Sequence, residues 1–146
     1  MTDFMELAFA EARAAAARGE VPVGAVVVQG GAVLAAAGNR VEELADPTAH
    51  AEILAIRAAA AGCGEPRLAA ADLYVTLEPC PMCAAAIALA RLRRVYFGAY
   101  DPKGGGIEHG ARVFDRSTCH HRPEVIGGLR ESEAAGLLQE FFRPRR

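Results

Sequence analysis

Apolar residues change their period several times along this chain, and each change marks a predicted element. Phe4, Leu7, Ala8, Ala12 and Ala15 recur at helical spacing behind Asp3, an N-cap residue with Glu6 three positions on. That pattern predicts a first helix over residues 4–18, ended by Gly19. Residues 21–28 then form a nearly continuous apolar run, as expected of a central strand covered on both faces. Gly30 and Gly31 turn the chain into a second strand over 32–37, making a hairpin. Residues 39–48 read as a polar loop with Pro47 just ahead of a second helix, which runs from about 48–50 to Gly62. A third strand over 72–77 leads through Glu78 and Pro79 into a helix over 81–92, and a fourth strand over 94–99 completes a β-α-β unit. Residues 107–122 carry no clear pattern. Residues 124–126 fit a short fifth strand, and an amphipathic helix with Leu137, Leu138, Phe141 and Phe142 follows from Arg130. The expected fold is α/β, a three-layer α/β/α sandwich on a mixed sheet of about five strands, with chemical groups where strands hand over to helices.

At 146 residues the chain fits a single domain, 1–146, able to bury one sizeable core. With 52% hydrophobic residues it should be a folded globule, and no apolar run approaches membrane-spanning length. The opening residues lack the basic start of a secretory signal, so a cytoplasmic protein with no membrane partner is expected. Four cysteines in that setting read as reduced thiols or metal ligands. The net charge of −2 excludes a broadly basic nucleic-acid binder, so any RNA footprint must be local. All sixteen cations but Lys103 are arginine, a skew that reads first as a mark of a GC-rich genome.

The chemistry concentrates in two short stretches, His50-Ala51-Glu52 and Pro79-Cys80-Pro81-Met82-Cys83. Two thiols three residues apart share one side of a helical turn and can reach one metal ion. His50 supplies a third ligand, and no fourth lies at a matching spacing, which leaves a tetrahedral Zn2+ with one position open for water. Glu52, two residues beyond the proposed ligand, is then free to move protons. Both ligand sets fall at expected helix starts, where unpaired N–H groups favour anions and lower thiol pKa values. Cys119-His120-His121 has no ligand partners nearby in sequence and reads as structural or surface.

The pattern H-x-E, 26 intervening residues and P-C-x-x-C is the signature already described for zinc nucleobase and nucleoside deaminases. The stretches Glu20 to Ala25, Gly38-Asn39-Arg40, Asp46 to Glu52, Tyr74 to Cys80 and Phe141-Phe142-Arg143 extend the likeness along the chain. Together they resemble the bacterial tRNA-specific adenosine deaminases, whose fold is of the cytidine deaminase-like type. The resemblance implies one Zn2+ per subunit on His50, Cys80 and Cys83, with Glu52 as the catalytic acid and base. It also implies deamination of the wobble adenosine, A34, to inosine in a tRNA anticodon stem-loop, that of tRNA-Arg(ACG), by a homodimer. Further substrate contacts follow from it. Asn39 matches a residue that touches the flipped purine, and the Ala51 backbone and Pro79 ring shape the pocket floor. Asp101 matches an acidic residue beside the anticodon sugar, and Phe142 and Arg143 belong to an aromatic, basic final helix. Asn39 and Asp101 also have a plain turn-forming reading, and one phenylalanine of the pair is expected in the core. Gly104 to Gly110 departs from an Ala/Ser-rich loop, and its first part, Gly104 to Gly106, is expected to be flexible, framing the pocket mouth. Two rivals stand beside this reading: a small-molecule guanine, cytosine or nucleoside deaminase of the same fold, and a non-catalytic zinc-stabilised RNA-binding module.

Overall fold

The computed structural model describes residues 2–145, without the Arg145 side chain. Its elements are α1 (Phe4–Ala17), β1 (Gly24–Gln29), β2 (Ala32–Gly38), α2 (Val41–Leu44), α3 (Ala51–Cys63), β3 (Asp72–Leu77), α4 (Pro81–Leu89), β4 (Arg94–Ala99), β5 (Glu124–Ile126) and α5 (Glu131–Phe142). The five strands lie in the order β2-β1-β3-β4-β5. β1 is antiparallel to both neighbours, whereas β3, β4 and β5 run parallel. This is the expected mixed sheet. The third, fourth and fifth strands occupy the predicted residues.

Alternation along β1 divides the interior into two layers. Ala25 and Val27 pack with Ala55, Ile56, Ala84 and Ile87 from α3 and α4, and Val26 and Val28 pack with Met5, Ala8 and Phe9 from α1. Helices therefore cover both faces, as the unbroken apolar run required. Paired glycines bring α1 close. Gly24 lies opposite Gly38 across the β1/β2 ladder. A Cβ on Gly24 would fall on the Ala8 carbonyl oxygen, and one on Gly38 would come 2.7 Å from the Glu11 carbonyl oxygen. The backbone of α1 thus rests directly on the hairpin.

Most other bounds lie within a residue or so of expectation, but four features differ more. β1 begins at Gly24, not 21, because Pro22 has no N–H and the Val23 N–H turns back to the Val21 carbonyl at 2.8 Å. The 39–48 segment contains α2, whose first amides, of Glu42 and Glu43, donate to the buried Glu20 carboxylate at 3.1 and 2.9 Å. α4 stops at Leu89 instead of 92, since Arg91 adopts a left-handed φ of 60° and reverses the chain. Gly105 and Gly106, expected in a flexible exposed loop, are buried against the turn that follows β3. Among the described residues no helix is long and apolar enough to cross a membrane.

The topology gathers loops at one end of the sheet. β3 and β4 end there, and because β1 is antiparallel to β3, the entry to β1 and the exit of β2 lie there too. Segments 19–23, 39–50, 78–80 and 100–109 consequently meet.

Glycine packing yields a paired prediction. Gly24→Ala should destabilise the protein by about 2 kcal/mol or more through overpacking. Gly62→Ala, on α3 with nothing within 4 Å of the new Cβ, should stabilise it by about 0.5 kcal/mol. Urea unfolding midpoints of the two variants read both.

Candidate metal centre and cavity

Two helix starts build the site. His50 is the N-cap of α3 and Cys80 the N-cap of α4, and both have extended backbones, with ψ of 151° and 172°. An N-cap side chain ordinarily folds back to accept an amide of its own helix. Neither of these does. They point at each other instead, with Cys83 one turn into α4 on the same side. Pro81 stands at the first helical position, where its missing N–H leaves no gap.

His50 Nδ1 lies 3.6 Å from Cys80 Sγ and 3.5 Å from Cys83 Sγ. Among the described residues these three form the only group of His, Cys, Asp or Glu able to hold a common ion, with ligand atoms within 4.8 Å of one another. Bonds of about 2.0 Å to nitrogen and about 2.3 Å to sulfur at tetrahedral angles put such ligands about 3.6 Å apart. The donor set and its spacing therefore fit zinc.

Electrostatics follow from the crowding. A hydrogen bond from Cys83 holds Cys80 down to about 4, with His50 adding to the effect, and the same bond pushes Cys83 well above the usual thiol range. The hydrogen bond to Cys80 raises His50. Glu52 is 4% exposed, and burial lifts its carboxyl to about 7 against the pull of its own backbone N–H.

A cavity of about 610 Å³ opens beside these groups, with Asn39, His50, Glu52, Cys80, Asp101 and Phe141 among its walls. The Ala51 N–H donates to Asn39 Oδ1 at 2.7 Å, which fixes that amide and leaves its NH2 free to face a ligand. Arg18 steadies the same residue, donating to the Asn39 carbonyl at 3.1 Å. Asp101 Oδ1 accepts the amides of Lys103 and Gly104 at 3.3 and 2.9 Å, so this side chain forms its turn and also borders the cavity.

The other expected contact residues, Ala51, Pro79, Phe142 and Arg143, are not among those lining the cavity. Ala51 and Pro79 are fully buried behind the wall. Phe141 is the core member of its pair, and Phe142 is 41% exposed, with Arg143 exposed beside it. Cys119 and His121 are structural: Cys119 donates to the His121 carbonyl at 3.1 Å, and His121 Nε2 donates to the Leu92 carbonyl at 2.7 Å. Two wall residues had no predicted role. Glu20 and Glu78 are buried acids whose partners are mostly backbone amides, which no side-chain pattern announces.

Comparison with known proteins places this geometry. The family model of MafB19-like deaminases matches residues 1–146. A tRNA-specific adenosine deaminase of Agrobacterium fabrum is 61% identical over 99% of this chain and 95% of its own length. A solved structure from studies of A-to-I editing by tRNA:A34 deaminases at the wobble position of transfer RNA is also 61% identical, with TM-score 0.91 over 92% of this chain and 98% of that one. A guanine deaminase from Bacillus subtilis is 41% identical, with TM-score 0.66 over 68% of this chain and 66% of that one.

Burial of Glu52 has a signed consequence for stability. Its carboxyl ionises near 4.5 when exposed and near 7 when buried. The folded state therefore holds the proton more tightly. The stability this gives is complete below pH 4.5 and lost as pH rises through 7. In metal-free protein, Glu52→Gln should leave the unfolding free energy nearly unchanged at pH 4.5 and raise it at pH 8 by at most about 3 kcal/mol, as read by urea unfolding.

Proposed function

The chain belongs to the deaminase family of that model and, within it, to the tRNA-specific adenosine deaminases, and from that premise we propose that it converts A34 of a tRNA anticodon loop to inosine. The substrate is tRNA-Arg(ACG), and the reaction takes place in the cytoplasm. One observation carries the reading: His50, Cys80 and Cys83 meet at zinc-ligand spacing, and His50 and Cys80 share a cavity wall with a buried Glu52. Bound by those three side chains, Zn2+ would act as a Lewis acid that activates water.

Proton movement falls to Glu52. A carboxyl poised near 7 can accept and return a proton at neutral pH with little loss either way. It takes one proton from the attacking water and delivers it to adenine N1 as C6 is attacked, then takes the second from the resulting C6 hydroxyl and passes it to the amine, so that the C6–N bond breaks, ammonia leaves and the C6 carbonyl of inosine forms. Asn39 presents its NH2 to a ring nitrogen acceptor of the purine, since its oxygen is occupied by the Ala51 amide. Ala51 and Pro79 back the floor beneath the base. Asp101, an acceptor when ionised, suits a ribose 2′-OH and favours RNA. Exposed Phe142 can stack an unpaired neighbouring base, with Arg143 holding phosphate. An anticodon loop has weakly stacked bases, so extruding one costs less than it would from a duplex.

The partner in this reading is a second copy of the chain. Leu89 on α4 is 75% exposed and, with Ala85 and Ala88, borders an apolar groove suited to it. Light scattering should give twice the 15.3 kDa chain mass. A second functional reading, deamination of a free base, is favoured by the likeness to guanine deaminase.

The deciding experiment incubates zinc-loaded protein with a short anticodon stem-loop and, separately, with adenosine, guanine and cytosine. Inosine should form from the stem-loop alone. Glu52→Ala should slow that reaction at least about 1,000-fold while zinc content and fold persist, as loss of an acid-base group requires. Turnover of a free base beside an untouched stem-loop would overturn the substrate assignment.

A further inference from the structure

We infer that Glu78 is a positioning residue whose carboxylate fixes the 101–109 segment against the metal-ligand turn and so sets where Asp101 stands in the cavity. This rests on Asp101 being a substrate contact. Glu78 is 1% exposed, a costly place for a carboxylate without partners. Its partners come from one segment. Oε2 accepts the backbone amides of Ile107, Glu108 and His109 at 3.2, 2.8 and 3.0 Å. Oε1 accepts the Asp101 amide at 3.0 Å and the His109 ring N–H at 2.8 Å. A carboxylate only accepts, so His109 carries its proton on Nδ1.

The glycines complete the clamp. The Gly106 amide donates to the Pro79 carbonyl at 2.8 Å, tying the segment to the turn that bears Cys80. A Cβ on Gly105 would come 2.5 Å from Glu78 Oε2 and 2.6 Å from the Asp101 carbonyl oxygen. One on Gly106 would come 2.6 Å from Pro81 N. These residues are glycine because the segment is pressed flat, and looseness would defeat that arrangement. Cys80 and Cys83 are carried by α4 and His50 by α3, so the clamp governs the part of the cavity lined by Asp101 rather than the ligands themselves.

A glutamine at position 78 keeps the shape but not the acceptors. Its NH2 must face either the amides of 107–109 or those of Asp101 and the His109 ring, and one group is left opposed. Glu78→Gln should therefore raise KM for the stem-loop about 10-fold or more with kcat changed less than about threefold. Zinc should stay at one per chain. Amide exchange should accelerate about 10-fold or more at 101 and 107–109 and remain unchanged in β1 and β3. Combining it with Asp101→Ala should add little further loss in KM, because both act through one contact. Gly105→Ala should reproduce the exchange pattern by displacing Oε2.

Wild-type KM with wild-type amide protection in Glu78→Gln would overturn the inference. So would loss of zinc, or exchange rising across the whole sheet in both variants, which would assign Glu78 to general maintenance of the fold. Failure of the substrate reading shows separately, as wild-type protein that leaves the stem-loop untouched. The exchange measurement then still decides whether Glu78 fixes the segment.

Discussion

Two helix starts whose side chains meet at 3.6 Å, His50 Nδ1 to Cys80 Sγ, set the terms for the whole molecule. Their N-cap side chains, His50 and Cys80, are withheld from capping and turned toward one another. The arrangement concentrates the positive ends of α3 and α4 around two thiols and a carboxyl, which suits an assembly carrying negative charge. Holding both starts in register requires the strands behind them to be fixed. β1 and β3 supply that, locked between two apolar layers, with α1 seated on Gly24 and Gly38.

Buried acids divide the labour around this centre. Glu52 is buried with few compensating donors, and its carboxyl moves to a value suited to proton transfer. Glu78 and Glu20 are equally hidden but wrapped in backbone amides, and serve to hold segments in place. Under the proposed function, one residue type thus fills a chemical and a scaffolding role. What separates them is the number of N–H groups aimed at each carboxylate.

Much of this was legible from residue order alone. The period change at 72–77, the hairpin glycines and the helix-start position of both ligand stretches follow from local physics, and the structure has them. The meeting of His50 with Cys80 and Cys83 was legible because thiols at i and i+3 demand a shared partner. The roles of Glu20 and Glu78 were not, since their partners are backbone amides brought in by tertiary folding. Gly104 to Gly106 misled for a related reason. Glycine signals either freedom or close approach, and only the neighbours of Gly105 and Gly106 tell which.

The Asn39 amide joins two tasks through its separate ends. Its oxygen completes the start of α3 by accepting the Ala51 amide at 2.7 Å, and its nitrogen is left for the cavity. A carboxylate there could keep the first bond with one oxygen and present the other as an acceptor. The polarity shown to a bound ring would then be inverted while the helix start stayed whole. Under the proposed substrate reading, the fold thus contains a position where a single-atom exchange re-addresses the cavity, giving descent with altered specificity a short path that leaves His50, Cys80 and Cys83 undisturbed.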